Sequence, residues 1–80
     1  MIATIKNLEI RGKEKKVSQK THREYLIVRV EDETGKPTEL LDWNVENLDR
    51  YKQRSIADFE LNLDIGKYIN ISVKDFKIHE

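Results

Sequence analysis

The chain contains no cysteine, so no disulfide can staple it and no thiolate can hold a zinc ion. Its three glycines, Gly12, Gly35 and Gly66, are isolated from one another, which excludes a glycine-rich phosphate loop. No wholly apolar run exceeds a few residues, and nothing resembles a signal peptide or a membrane span. The expectation is a cytoplasmic protein. The two histidines, His22 and His79, stand far apart in charged surroundings with no second ligand at strand or helix spacing. They read as surface residues, and no metal or other cofactor is expected. Ser18, Ser55 and Ser72 lack a nucleophile-elbow context and neither histidine has triad partners, so the sequence reads as non-enzymatic. Asn70-Ile71-Ser72 is a formal glycosylation sequon that reads better as strand sequence.

What is present fits one domain over residues 1–80, near the lower size limit for a self-sufficient core. The formal net charge is zero, yet residues 1–30 carry +5 and residues 31–80 carry −5. A phosphate backbone could approach the basic part although the whole is neutral. Hydrophobic periodicity predicts a long first strand over Ile2–Ile5 and Leu8–Ile10, with a bulge where the apolar phase shifts between Ile5 and Leu8. Arg11 to Arg23 is polar and basic and reads as a projecting, mobile hairpin tip. Tyr25–Val30 is the clearest strand, with Leu26, Val28 and Val30 on one face and Tyr25, Ile27 and Arg29 on the other. A third strand covers about Thr38 to Trp43, with Leu41 and Trp43 in one phase and Trp43 expected inward or at a rim. Asn44 can cap a short helix over 45–54, in which Val45, Leu48 and Tyr51 share a side. Ile56–Leu63 alternates as a fourth strand, although Ala57–Leu63 could instead continue the helix and leave a four-stranded sheet, and Asp64–Lys67 forms a turn. Tyr68–Ile78 forms a fifth strand with Ile69, Ile71 and Val73 inward and a second bulge near Lys74-Asp75.

Val30-Glu31-Asp32-Glu33-Thr34-Gly35-Lys36, followed by Leu40-Leu41-Asp42-Trp43, predicts a hairpin in which Asp32 bonds its own turn and Gly35 takes positive φ. The acidic run 31–33 reads as that turn rather than as a metal site. The pattern Asp32, Thr34, Gly35, Leu40, Leu41, Trp43 resembles the second and third strands of oligonucleotide-binding (OB) folds of the replication protein A and tRNA-anticodon type. Gly66-Lys67-Tyr68-Ile69-Asn70-Ile71 is similar to the opening of a late strand in that family, and the element order matches across the chain. The resemblance implies an all-β fold with a small α component: a five-stranded antiparallel Greek-key barrel with one helix between strands 3 and 4. A β-grasp fold is the rival, disfavoured because its helix would be longer and would follow the second strand.

The resemblance also implies a ligand crossing strands 2 and 3, between the first hairpin loop and the loop joining the last two strands. Single-stranded nucleic acid needs cations to follow phosphates and rings to stack on bases. The basic tip offers Arg11, Lys13, Lys15, Lys16, Lys20 and Arg23, and the outward face of strand 2 offers Tyr25 and Arg29. Tyr68 and Lys74 extend this surface from the last strand. Glu39 and Asp42, on strand 3, would repel phosphate if they faced the groove. The expected ligand is single-stranded DNA or RNA with little sequence preference, and a replication or recombination accessory from a phage or mobile element is the matching role. The alternative is a protein-interaction module that docks on a helicase, recombinase or other nucleic-acid enzyme, which the +5/−5 split suits equally.

Overall fold

The structure is a computed structural model that describes residues 1–79. It is mostly antiparallel β. Five strands, β1 (Ile2–Val17), β2 (Glu24–Glu31), β3 (Pro37–Asp42), β4 (Ile56–Ile65) and β5 (Ile69–Ile78), form one sheet in the order β3-β2-β1-β4-β5. The central strand, β1, serves two neighbours. It pairs with β4 from Ile2 to Glu9 and with β2 from Glu9 to Val17. Two irregularities bend it: the expected bulge between Ile5 and Leu8, and a second between Ile10 and Gly12 that leaves Arg11 unpaired. Asn7, in the first bulge, takes φ 61°, and its freed N–H donates to Asp58 Oδ1 at 3.0 Å. The edge strands β3 and β5 approach within 8 Å between Cα atoms, but no ladder of hydrogen bonds joins them.

The basic stretch after Ile10 is not a loose loop. Lys13 to Val17 continues β1 in register with Val28 to Glu24, and only residues 18–23 turn. The projecting hairpin is therefore a two-stranded arm. The absence of glycine and proline between 13 and 17 permits the ladder to run on.

The core consists of inward residues from every strand: Leu8 and Ile10; Leu26, Val28 and Val30; Leu40; Ala57, Phe59 and Leu61; Val73 and Phe76. Three rings stack inside it. Tyr51 and Phe76 lie 4.2 Å apart between centroids at 11°, and Phe59 lies 5.5 Å from Phe76. Each buried aromatic contributes roughly 1.5–3 kcal/mol of burial. The bulge expected in β5 leaves Lys74 unpaired between Val73↔Leu61 and Asp75↔Glu60, and it is what turns Phe76 inward. Ile69 and Ile71 do share the face of Val73, but the β4–β5 hairpin runs past the end of the core. They are 67% and 47% exposed rather than buried.

Strand β3 departs from the sequence expectation. The register Val28↔Leu40 and Leu26↔Asp42 sends Leu40 and Asp42 inward, and so turns Leu41 and Trp43 outward. Asp42, 1% exposed, is satisfied by three donors: the Tyr51 hydroxyl at 2.6 Å, Asn47 Nδ2 at 2.9 Å and the Asn44 N–H at 2.9 Å. It therefore does not face a groove. The expected helix over 45–54 is instead a 3-10 turn, Val45–Asp49, capped by Asn44. It stops early because the chain is claimed by β1: the Arg54 N–H bonds the Ile10 carbonyl, and the Ile10 N–H bonds the Ser55 carbonyl. Arg54 takes φ 69° to make that return. Val45 and Leu48 still pack on the core and Tyr51 is buried within it. No described helix is long and apolar enough to cross a membrane.

The buried carboxylate and the exposed ones respond to different tests. Burial, and then the bond to Asp42, push the Tyr51 hydroxyl far above its ordinary pKa, so it stays a donor throughout the physiological range. Tyr51→Phe removes one donor from a buried carboxylate and should cost about 1–3 kcal/mol in urea unfolding, with the m-value unchanged. Acid acts on the surface. The Thr34 hydroxyl holds the Asp32 carboxyl below its usual range, and His79 does the same for Asp58. Both groups are thus more acidic folded than unfolded. Their contribution is present above the unfolded value of about 3.9 and is lost as pH falls through the lower folded values. The urea midpoint should fall below about pH 4 in the wild type, and should fall less in Asp32→Asn/Asp58→Asn.

Candidate nucleic-acid interface

The outward face of β1, β2 and β3 follows from the ladder, because paired residues share a face. Lys16 lies opposite Tyr25, Glu14 opposite Ile27, which in turn pairs with Leu41, and Gly12 opposite Arg29, which pairs with Glu39. At the open end of this face stands Trp43, 40% exposed. Its ring lies 5.7 Å from that of Tyr25 at 59°, and the Arg23 guanidinium sits over it at 4.3 Å. A tilted aromatic pair and a cation over a ring are each favourable, by about 0.5–1.5 and 0.5–1 kcal/mol at exposed sites. They hold Trp43 at the surface with its indole partly open. Arg29 lies across β1 where Gly12 has no side chain: a Cβ there would come within 3.7 Å of its guanidinium nitrogens.

The ten residues expected to bind nucleic acid do not all gather here. Lys16, Arg23, Tyr25 and Arg29 belong to this face, and Lys20 lies exposed in the adjoining turn. Lys13 and Lys15 pair with Val28 and Leu26, so they leave β1 on the opposite face. Lys13 Nζ donates to the Leu48 carbonyl at the end of the 3-10 turn, and Lys15 pairs with Glu24 at 2.7 Å. Arg11, the unpaired bulge residue, is held by Glu9 at 2.7 Å and Glu31 at 3.7 Å, and the bond to Glu9 raises its pKa. Tyr68 precedes β5 in the hairpin turn, 72% exposed, with Lys67 Nζ 5.8 Å from its ring. Lys74 is the exposed bulge residue of β5.

Trp43 also borders a cleft of about 410 Å³ at the seam between β3 and the β4–β5 hairpin. Its other walls are Leu41, Ile71 and four polar side chains, Asn62, Asp64, Asn70 and Ser72. Sequence reasoning did not single out those four as site residues. The signal was there: Leu61-Asn62-Leu63-Asp64-Ile65 and Ile69-Asn70-Ile71-Ser72-Val73 alternate strictly, and antiparallel pairing superposes their polar members.

Other concavities are less suited to an anionic polymer. One of about 560 Å³ is lined by Arg50, Phe76, Lys77 and His79 together with the Asp58 carboxylate, and Arg50 is engaged there by Asp75 and Asn47 and His79 by Asp58. Another is lined by Glu9, Glu31, Asp32 and Glu33 and repels phosphate. The Asp32-x-Thr34-Gly35 motif is accounted for by its turn: Asp32 Oδ1 accepts from the Thr34 N–H, the Thr34 hydroxyl and the Lys36 N–H, and Gly35 takes φ 82°. Among the described residues no cluster of three or more His, Cys, Asp or Glu side chains is placed to hold a metal ion. Comparison with family models, with curated proteins and with solved structures found no match for this chain.

Proposed function

We propose that the protein binds single-stranded nucleic acid on the outward face of β1, β2 and β3, without catalysing a reaction. The observation that carries this reading is Trp43: a half-exposed indole between Arg23 and Tyr25, on the face that also presents Lys16 and Arg29. Rings interleaved with cations suit a ligand that offers bases and phosphates in alternation. In this reading the sheet is an OB barrel in Greek-key order, completed across β3 and β5 by side-chain packing. The strand order and the close approach of the two edges support it. Trp43 then lies between the two hairpin arms, touching Arg23 of the first and sharing a cleft with Asn70 of the second. Contacts of this kind along β2 and β3 favour any strand, whatever its sequence.

One observation favours the second reading, a protein-interaction module. The tip of the β4–β5 hairpin exposes Ile65, Tyr68 and Ile69. A single-strand binder and a docking module separate on the first test. Trp43→Ala should weaken oligothymidylate binding by about 1–3 kcal/mol, the usual value for one stacked base. It should lower stability by no more than about 2.5 kcal/mol, the sum of the interactions with Tyr25 and Arg23 that are removed. Anisotropy with a labelled oligonucleotide and a thermal melt measure the two. Loss of fold without loss of affinity would contradict the proposal, and a wild type that fails to bind any strand would leave the docking module as the better account.

The second test reads the phosphate path. Lys16→Gln/Arg29→Gln should reduce the slope of log K against log salt by roughly 0.7 for each phosphate no longer neutralised. Lys13→Gln/Lys15→Gln should leave it unchanged, since those lysines lie on the other face. An inverted result would place the strand on the opposite side of the arm.

A further inference from the structure

The cleft beside Trp43 has a chemistry that the rest of the interface lacks. The ladder pairs Asn62 with Ser72 and Asp64 with Asn70, so four polar side chains form one patch on a single face of the β4–β5 hairpin. All four line the cleft. Their side chains make no hydrogen bond or ion pair with another described group; Asn62, Asp64 and Asn70 are exposed and Ser72 is half-buried. Exposed donors and acceptors gathered around one cleft, with no protein group competing for them, can read a ligand edge. An ionised carboxylate accepts hydrogen bonds and cannot donate. It also repels phosphate, so Asp64 does not serve the backbone of a nucleic acid. It suits a base edge that presents two adjacent N–H donors. Among the four bases, guanine alone does so, through N1–H and the N2 amino group. Asn62 or Asn70 can then donate to guanine O6, and the Trp43 ring offers a face on which the base stacks.

We propose that this cleft is a guanine subsite: Trp43 stacks the base, Asp64 accepts from its N1–H and N2–H, and the Asn70, Asn62 and Ser72 side chains complete its edge. The inference rests on the single-strand reading above and adds to it a preference at one position. The same base could arrive in a strand or as a free nucleotide. A strand also reaches Arg23 and Lys16 through its phosphates, so the strand is the occupant the surface fits. Discrimination comes from the carboxylate, because a thymine or an adenine in the cleft sets a lone pair against Asp64.

The experiment compares three probes by competition against a labelled oligothymidylate: an unlabelled octathymidylate, the same strand with one central guanine, and guanosine monophosphate. The guanine strand should compete at least about fivefold better than octathymidylate, the lower end of what one bidentate base contact supplies. Asp64→Asn should bring the two strands to one affinity, while Asp49→Asn, which removes the same charge from the 3-10 turn, should preserve the difference. Circular dichroism confirms that both variants fold. Equal competition by the two strands against wild type would overturn the guanine subsite and leave the single-strand reading standing. Absence of binding by every probe would overturn both. Guanosine monophosphate competing as well as the guanine strand would keep the subsite and overturn the strand as its occupant. Discrimination that survives in Asp64→Asn would overturn the role assigned to that carboxylate.

Discussion

The hydrogen bond from the Tyr51 hydroxyl to the buried Asp42 carboxylate, 2.6 Å long, decides how this fold is put together. A carboxylate at the inner end of an edge strand is costly unless its lone pairs are occupied. Here the chain supplies the donors from the next nine residues, through Asn44, Asn47 and Tyr51. Supplying them forces the segment after β3 to curl tightly beneath the sheet. Tyr51 brings its ring with it, onto Phe76 of β5, and Arg50 closes over the other side of the same junction by bonding the Phe76 carbonyl. One polar contact thus ties β3 to β5, the two edges that no ladder joins. The buried side-chain polar atoms of the described residues all find partners, so the network stabilises without leaving an orphan behind.

The same contact sets the outer surface. Side chains alternate along a strand, so fixing Asp42 inward fixes Trp43 outward. A strand with Leu41 and Trp43 inside would have buried the only tryptophan and exposed the carboxylate on the cationic face. The observed phase does the opposite for Asp42: it hides that carboxylate, leaves Glu39 on the outer face opposite Arg29, and presents a ring next to Arg23, Tyr25 and Lys16. The core network and the proposed interface are two faces of one register. Along the hairpin arms the division continues. The β1–β2 arm carries the cations, while the cleft-lining face of the β4–β5 arm carries neutral amides, a hydroxyl and one carboxylate. The proposed phosphate contacts and the proposed base contacts thus fall on either side of Trp43.

How far the sequence could be read depended on whether a signal was local. Both expected bulges, after Ile5 and at Lys74, show as shifts in apolar phase and stand where those shifts fall. Four of the strands and the Asp32 turn are equally visible, because alternation and turn chemistry are properties of short segments, whereas Ala57–Leu63, part of β4, also fits a continuation of the helix expected before it. The phase of β3 is not. Its apolar pair at Leu40-Leu41 fits either face, and the choice depends on donors that meet Asp42 only once the chain has folded back. The helix over 45–54 is consistent with period and capping, yet Arg54 and Ser55 bond β1 and end it after one turn. The basic tip is legible but its two faces are not. Alternation separates Lys13 and Lys15 from Lys16, but which set faces outward is decided by the bulge at Arg11, which shifts the register by a residue. The polar patch of the β4–β5 hairpin escapes a linear reading because each half looks ordinary alone.

Trp43, as a stacking surface for bases, is the centre of the functional proposal. It is the only tryptophan, so its emission reports on that site alone. The most direct measurement is the fluorescence of the wild-type protein, excited selectively at the indole, during titration with oligothymidylate at low salt, with binding followed in parallel by anisotropy. The account predicts saturable quenching of the Trp43 emission along the same curve as the anisotropy. An anisotropy change with the Trp43 emission unaltered would show that strands bind elsewhere, and would contradict it.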